Sequence, residues 1–427
     1  MSNALAQPLG LPCGVSIPNR LAKAAMTEGL ATSRGVPTAA LERLYGLWSD
    51  GGAGLLLTGN IQIDRDHLER PGNVIIDGAP DEELRAALGS WAKAATRNGN
   101  PCWAQLSHAG RQTQKRVNPH PKAPSAIPLG LPGGQFGKPV ALTIPEIEHV
   151  VERFGIASAT CKETGFTGVQ IHAAHGYLLS EFLSPRANRR ADRYGGDLRN
   201  RARLLLETVR AARDAVGPHF PVAVKLNSAD FQKGGFAFEE SLQVARWLQD
   251  AGIDLLEISG GTYEQPKLLG LAGFEAEEKQ PVARSTLLRE AYFVDFALAM
   301  QAAVTVPLMV TGGFRTRAAM EQAIETGAAD LIGLARPMCV DTDAPAQLLA
   351  GAEELQRYEE QLSLLPDCLS FLQAIPALRS VSGFAVIYWF YTQLDMLGRS
   401  GTTQPDMSVL TAALRVMGQQ KKLLKER

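Results

Sequence analysis

The sequence lacks a dominant charge and a long apolar run. Its 427 residues include 43 Lys or Arg and 44 Asp or Glu, which gives a net charge of −1, and no block of five like charges occurs. Electrostatic binding to nucleic acid or to an anionic membrane surface needs a basic patch or run. A membrane span needs about eighteen consecutive apolar residues, and no run reaches that length. These absences predict a protein that binds neither nucleic acid nor a membrane.

Cysteine is scarce and scattered. The five cysteines form no Cys-x-x-Cys pair, so the spacing of zinc and iron–sulfur sites is missing. Few unpaired cysteines are typical of a reducing compartment. The first ten residues also lack the basic segment and apolar core of a secretory signal. The sequence therefore predicts a cytoplasmic protein without a metal site.

Two nucleotide-binding signatures are missing as well. No Gly-x-Gly-x-x-Gly follows the first predicted strand, and no Walker sequence occurs, so neither a Rossmann site nor a P-loop is expected. The rest of the composition is ordinary for a globular protein, with 45% hydrophobic and 20% charged residues.

Short apolar runs alternate with segments of helical spacing along most of the chain. Eight runs have the length of buried strands: residues 21–26, 54–58, 101–107, 169–171, 221–226, 253–258, 306–310 and 330–334. This alternation predicts an α/β fold in which parallel strands with helical crossovers close into a single (β/α)8 TIM barrel. An open doubly wound sheet would give the same alternation, so the pattern leaves closure open.

The two ends of the chain depart from this pattern. Residues 9–18 are rich in Pro and Gly and predict an N-terminal hairpin. After Pro345, helices are predicted over residues 350–365, 381–397 and 407–424. We therefore expect a barrel over residues 1–346 and a C-terminal helical extension over residues 347–427 packed on it. The aromatic run 386–391 is expected to pack on the barrel, with a homo-oligomer interface as the alternative.

The segment Gly168-Val-Gln-Ile-His-Ala-Ala-His-Gly-Tyr177 carries the clearest chemical signal. A short strand is followed at once by His172, His175 and Tyr177, which places three hydrogen-bond donors in one turn. Such a cluster suits holding a carbonyl oxygen and supplying a proton beside it. In a barrel these side chains lie at the C-terminal face, where active sites are built.

The ends of the last two strands predict an anion site. Gly312 and Gly313 leave backbone N–H groups open to an anion, and Ala335 is followed by the charged Arg336. Barrels often bind phosphate after strands seven and eight.

Three polar residues at other strand ends suit a flavin ring. Gln105 can donate and accept at an amide-like ring edge. Lys225 can place a positive charge beside a ring that gains negative charge on reduction, and Thr27 can donate to a ring carbonyl. The protein's task with such a cofactor is orientation and electronic tuning. The alternative is that Lys225 forms a salt bridge within the barrel and Gln105 is a structural amide.

Taken together, these motifs resemble the Old Yellow Enzyme family of FMN-dependent ene-reductases and NADH:flavin oxidoreductases. The resemblance covers about residues 9–346. It rests on Ala104-Gln-Leu-Ser-His-Ala-Gly-Arg111, Ile171-His-Ala-Ala-His-Gly-Tyr177, Phe182-Leu-Ser-Pro with Asn188-Arg-Arg-Ala-Asp-Arg-Tyr-Gly-Gly196, Val310-Thr-Gly-Gly-Phe-Arg315 and Gly333-Leu-Ala-Arg336.

The resemblance implies FMN at the C-terminal face of the barrel. It implies cofactor contacts from Ala25, Met26, Thr27, Gly59, Gln105, Lys225, Gly313, Ala335 and Arg336. It implies that His172 and His175 bind the substrate carbonyl and that Tyr177 donates the proton.

This sequence departs from the family's pattern at three positions. Lys225 stands where many relatives have Arg, Ala335 replaces a common Gly, and Gly29 stands where some members present a Tyr that contacts substrate. The larger two-cofactor members carry a cysteine cluster and further nucleotide-binding domains after the barrel. Because this chain has neither, a 4Fe–4S cluster and FAD are not expected.

The expected activity is ping-pong reduction of the C=C bond of an α,β-unsaturated carbonyl compound, with NADH or NADPH as hydride donor. A small enone-type molecule is the expected partner. Two alternatives keep the flavin: NADH oxidation by O₂, and oxidation or demethylation of a substrate. A third is a non-catalytic barrel that binds a phosphorylated ligand.

Overall fold

The computed structural model describes residues 4–131, 134–261, 294–365 and 376–427. Its central strands, named β1 to β8 in chain order, are Leu21–Lys23, Leu55–Leu57, Cys102–Ser107, Gly168–Ala173, Val222–Asn227, Leu255–Ser259, Leu308–Thr311 and Leu331–Leu334. Each strand pairs in parallel with the next, and β8 pairs in parallel with β1, with Ile332 beside Leu21. This last pairing closes the sheet. The barrel prediction is confirmed, and the open sheet is excluded.

A helix follows each strand. The eight crossover helices, α1 to α8, are Ala39–Asp50, Glu82–Ala95, Ile144–Glu163, Arg203–Val216, Phe238–Asp250, Val294–Gln301, Arg317–Glu325 and Ala344–Leu349. The long α3 begins directly after Thr143, because Thr143 and Glu146 form a reciprocal capping box there. Short helices at Leu178–Leu183 and Leu198–Arg201 lie between β4 and α4.

The predicted N-terminal hairpin is present and packs against the interior of the barrel. Leu9–Gly10 pairs antiparallel with Ser16–Ile17. Leu9, Leu11 and Ile17 form one apolar cluster with strand residues such as Trp103 and Met309, separate from the larger core that includes the crossover helices. The hairpin is therefore an apolar plug for the barrel.

The predicted helix over residues 350–365 is wrong. This stretch contains only a 3₁₀ turn at Tyr358–Gln361. The backbone N–H of Leu355 donates to the carbonyl of Arg315, and the N–H of Arg317 donates to the carbonyl of Glu353. These bonds pair the stretch with the loop after β7, and that tertiary pairing replaces the intrahelical bonds that the apolar spacing suggested.

The other two C-terminal helices are confirmed as α9, Pro376–Ser400, and α10, Val409–Glu426. The pair is held to the barrel by Arg43 of α1, which donates to the carbonyls of Gly398 (2.8 Å) and Arg399 (2.7 Å) at the end of α9. Trp389 is fully buried and donates from its indole to the carbonyl of Met407, which joins the two helices. We propose that residues 347–427 form an extension of the barrel, with a division near residue 346. Within the described ranges, no helix has the length and apolar content to cross a bilayer.

Candidate active site

A cavity of about 800 Å³ opens at the C-terminal ends of the barrel strands. Every site residue predicted from the sequence lines it except Gly59: Ala25, Met26, Thr27, Gln105, His172, His175, Tyr177, Lys225, Gly312, Gly313, Ala335 and Arg336. Residues from the ends of different strands therefore line one cavity.

Gly59 lies beside the cavity wall rather than on it. Its N–H donates to the Glu28 carboxylate (3.0 Å) and the Tyr45 hydroxyl (3.1 Å). A Cβ at this position would lie 2.1 Å from Glu28 Oε2 and 2.2 Å from the Met26 carbonyl. Glycine is needed here because the loop after β2 approaches the segment after β1 closely. That approach supports the neighbouring Thr27, whose hydroxyl donates to Asn60 Oδ1 (3.1 Å).

His172, at the end of β4, is a buried neutral donor. Its Nδ1 accepts the Ala174 N–H over 3.2 Å. The proton of the neutral ring must therefore be on Nε2, the nitrogen left for a ligand. Burial, and then the nearby Lys225 ammonium, lowers the pKa of His172 well below its usual value. The ring stays neutral at physiological pH.

His175 is held in an uncommon backbone conformation. Its φ is +62°, which costs a non-glycine residue about 1–3 kcal/mol. Asn227 Oδ1 accepts a hydrogen bond from its backbone N–H, and Gln112 Nε2 donates one to its carbonyl; both distances are 3.0 Å. Its Nε2 lies 2.6 Å from Ser259 Oγ, so Nδ1 is left for a ligand. Burial, followed by Lys225 and His172, lowers the pKa of His175 well below its usual value.

Tyr177 completes the cluster. Its ring stands at 89° to the His172 ring with the centroids 4.9 Å apart, and its centroid is 6.5 Å from that of His175. The residue is 6% exposed and precedes the short helix Leu178–Leu183. Because that helix is fully buried, it fixes the phenol at one place on the cavity wall. The three donors predicted to act together thus lie together.

A buried polar network lies between β3 and β7. Glu257 Oε1 is 2.8 Å from Lys225 Nζ and accepts the Thr311 hydroxyl over 2.7 Å. Gln170 Nε2 donates to Glu257 Oε2 over 2.8 Å, and Gln105 Nε2 donates to Gln170 Oε1 over 2.7 Å. Lys225 therefore forms a salt bridge within the barrel and Gln105 a structural hydrogen bond, as the alternative reading expected, and both side chains also line the cavity.

Two guanidinium groups mark the end of the cavity near β7 and β8. Arg315 and Arg336 both line it, and the Glu359 carboxylate bridges them, at 3.3 Å from Arg336 Nη1. The adjoining Gly312 and Gly313 have φ of +122° and +88°, which only glycine adopts readily. The arrangement suits a phosphate. The sequence patterns did not indicate Arg315, although it ends the segment 310–315 at the end of β7, and they did not indicate Glu359.

The C-terminal helix α9 supplies an apolar wall to the cavity. Val386, Ile387, Phe390 and Leu394 line it from one helical face. Within the aromatic run, Trp389 packs against the segment that leads into α10, and Phe390 faces the cavity. Sequence analysis did not predict this wall.

The segment near Gly29 explains one departure from the family's pattern. A Cβ at Gly29 would lie 2.7 Å from the Arg70 guanidinium, and φ there is +68°. A tyrosine at position 29 would therefore need a strained backbone and a shift of the Arg70 guanidinium. The Arg70 guanidinium instead lies 4.0 Å from the ring centroid of Tyr391, which lines the cavity from α9.

A second cluster, Asp64, His67 and His108, resembles a metal site but is not built as one. The ligand atoms lie within 4.8 Å of one another. However, His67 Nε2 and His108 Nδ1 each accept a backbone N–H. The nitrogens that face Asp64 therefore carry the protons and have no lone pair for a metal. Arg153 also forms an ion pair with Asp64.

This cluster should make stability depend on pH. Burial, and then the neighbouring His67, lowers the pKa of His108 to about 4. The unfolded chain binds a proton at this histidine near pH 6.5 while the folded chain does not, so stability is lost as pH falls from 6.5 towards 4. Between pH 7.5 and pH 5 we expect His108 to account for a loss of about 2 kcal/mol in the free energy of unfolding.

Urea denaturation of the wild type and of His108→Asn at the two pH values measures this loss. The wild type should lose about 2 kcal/mol more than the variant on acidification. His149, which is exposed on α3, gives the matched control, since His149→Asn should leave the pH dependence unchanged. Parallel curves for wild type and His108→Asn would contradict the assignment.

Comparison with known proteins identifies the family of this chain. The family model described as the NADH:flavin oxidoreductase / NADH oxidase family matches residues 4–354. The NADH-dependent flavin oxidoreductase iliE of Hypocrea jecorina (strain QM6a) is 37% identical over 362 residues, which cover 81% of this chain and 89% of the relative. The NADH oxidase of Thermoanaerobacter brockii is 32% identical over 341 residues, covering 79% of this chain and 49% of the relative.

Solved structures agree with the fold. The Old Yellow Enzyme homologue of Zymomonas mobilis superposes with a TM-score of 0.69 and 26% identity, over 83% of this chain and 94% of that one. Morphinone reductase gives a TM-score of 0.66 and 25% identity, over 83% and 91% of the two chains. With a closed barrel, a donor cluster at the end of β4 and two arginines beside two positive-φ glycines after β7 and β8, this chain belongs to the NADH:flavin oxidoreductase / NADH oxidase family, among the Old Yellow Enzyme homologues.

Proposed function

We propose that this protein is an FMN-dependent oxidoreductase that uses NADH or NADPH to reduce the C=C bond of α,β-unsaturated carbonyl compounds by a ping-pong mechanism. The observation that carries the proposal is the convergence of His172, His175 and Tyr177 on the cavity that also contains Lys225 and Gln105. The first three suit a carbonyl substrate, and the last two suit a flavin ring.

The residues present fit FMN. A pair of guanidiniums beside two positive-φ glycines suits the phosphate at one end. The Lys225 ammonium and the Gln105 amide lie on the wall of the same cavity. Ligand cavities commonly measure about 300–1,000 Å³, so about 800 Å³ leaves room for a cofactor and a small substrate. The Glu359 carboxylate has the same sign as the phosphate, so the two would compete for the N–H groups of the two arginines.

The chain's own groups bind and polarise the substrate. Bound FMN supplies hydride transfer from the dinucleotide to the acceptor. With the Ser259 hydroxyl donating to His175 Nε2, the proton of that ring is on Nδ1. His172 Nε2–H and His175 Nδ1–H then both donate to the carbonyl oxygen, and electron density is thereby drawn from the alkene. Their low pKa values keep the rings neutral, so that they act as hydrogen-bond donors without adding charge. The Tyr177 hydroxyl delivers the proton to the α-carbon.

Anaerobic stopped-flow spectroscopy tests this function. The purified protein should be yellow or become so with added FMN, and NADH or NADPH should bleach it. Mixing with 2-cyclohexenone should then restore the colour faster than mixing with air-saturated buffer. A protein that stays colourless after FMN is added would overturn the proposal and favour a non-catalytic phosphate-binding barrel.

A second function is favoured by one relative. The NADH oxidase of Thermoanaerobacter brockii is 32% identical to this chain. Faster reoxidation by O₂ than by any enone would favour NADH oxidase activity.

The apolar wall should select substrates by size. Phe390 is 6% exposed and lines the cavity, so Phe390→Trp fills space that a bulky acceptor would use. We expect kcat/KM to fall about tenfold for a bicyclic enone, an effect of the size that one misplaced apolar group produces, and to stay nearly constant for a small open-chain enone. Leu410→Trp, at a position 56% exposed on α10, is the matched control. An equal change for both substrates would contradict a role in selection.

A further inference from the structure

Glu257 is a charged residue that substrate binding does not use. It is fully buried in the middle of β6. Its carboxylate accepts hydrogen bonds from Thr311 and Gln170 and forms an ion pair with Lys225. Burying a carboxylate costs several kcal/mol unless it is paired and hydrogen-bonded, as it is here. Lys225 and Glu257 are direct cross-strand partners in the β5–β6 register, so the fold itself sets their contact.

We propose that Glu257 lowers the reduction potential of the bound flavin by neutralising Lys225. This inference rests on the proposed binding of FMN. A lone ammonium on the cavity wall would favour the negative charge that the isoalloxazine ring gains on reduction. A carboxylate 2.8 Å from that ammonium turns the charge into a dipole, whose attraction at the ring is much weaker.

The same carboxylate fixes the direction of the hydrogen bonds that reach the cavity. Because Glu257 only accepts, Gln170 must present its Nε2 to it and its Oε1 to the other side. Gln105 must then donate its Nε2 to Gln170. Its Oε1 remains as the acceptor for a ligand. Glu257 is thus a positioning residue for the Gln105 amide and an electrostatic partner of Lys225.

The potential of the flavin affects the free energies of the two half-reactions in opposite directions. A lower potential makes transfer of two electrons to the acceptor more favourable and acceptance of two electrons from the dinucleotide less favourable. Glu257 therefore biases the site towards reducing weak acceptors.

Potentiometry on the FMN-loaded protein tests the proposal. Glu257→Gln keeps the shape and can still accept from Thr311, but it removes the negative charge and replaces one acceptor oxygen with an N–H donor, so the Gln170 and Gln105 amides can also reverse. Reduced FMN should be stabilised at least tenfold over oxidised FMN relative to the wild type, a shift of about +30 mV for a two-electron couple. Lys225→Met should shift the potential in the opposite direction. An unchanged or more negative potential in Glu257→Gln would overturn the proposal.

The double variant Lys225→Met/Glu257→Gln guards against failure of the single variants, which each leave one buried charge unpaired. It contains neither charge, so its reduction potential should lie within about 30 mV of the wild-type value. This corresponds to less than a tenfold change in the equilibrium constant between reduced and oxidised FMN. A potential further below the wild type would show that Lys225 acts on the ring despite Glu257, and would overturn the inference. Failure of the proposed function is distinguishable, because FMN titration of the wild type would then show no binding.

Discussion

Tyr177→Phe is expected to slow enone reduction by about 100-fold to 10,000-fold, the contribution of a positioned general acid, while leaving reduction by the dinucleotide nearly unchanged. The variant keeps the ring that packs at 89° on His172 and removes only the hydroxyl. The α-carbon then has to take its proton from water, which is a weaker and less well positioned acid than the Tyr177 hydroxyl. The two halves of the reaction are affected unequally because only the second needs this proton.

Anaerobic stopped-flow measurement of each half separates the two effects. Tyr194→Phe is the matched control, since Tyr194 lies in the same connection between β4 and α4 and its hydroxyl bonds to Glu207 over 2.9 Å, away from the cavity. Equal slowing of both halves in Tyr177→Phe would argue against a proton donor and for a general disturbance of the site.

His172→Ala is expected to lower kcat/KM for an enone by about 100-fold to 1,000-fold, the usual cost of removing one donor from a site that stabilises developing negative charge. The loss arises because the Nε2–H of the neutral ring is the group left for the carbonyl oxygen. His172→Gln restores an N–H donor and should recover part of the rate. Equal activity in the two variants would mean that the ring acts by packing on Tyr177 and not by donation.

The pH dependence of the same reaction gives an independent check. The pKa values of His172 and His175 lie well below the usual range because the rings are buried near Lys225. Neither ring should gain a proton between pH 8 and pH 6. Enone reduction should therefore stay level over that interval as far as these two residues determine it, whereas a rate that rises towards pH 6 would show that the charged imidazolium is the active form.

The fold was predictable because the same sequence pattern, a short apolar strand with a polar end, occurs eight times. Each strand is short and apolar, and each end carries a polar tip, so eight weak signals support one another. Residues that follow a strand in a barrel lie on the C-terminal face by construction. For that reason His172, Gln105, Lys225 and Arg336 were predicted to share one cavity, and they do.

The contacts between those residues were not predictable, because they depend on strand register and on distant segments. Glu257 stands in an apolar strand, which marks it as unusual, but only the register of β5 and β6 places it beside Lys225. Glu359 reaches Arg315 and Arg336 from a stretch that the apolar spacing predicted as helix. Gly59, which the resemblance implies as a cofactor contact, lies beside the cavity lining, where its N–H donates to Glu28.

The wall that α9 contributes also has a consequence for biosynthesis. Lining residues extend from Ala25, just after β1, to Leu394 in α9. Domains made on the ribosome fold as their segments emerge, with the N-terminal part first. The barrel strands are complete at Leu334, but the cavity acquires its apolar wall only when α9 has left the ribosome. A ligand that contacts this wall can therefore be enclosed only after the segment up to Leu394 has been translated.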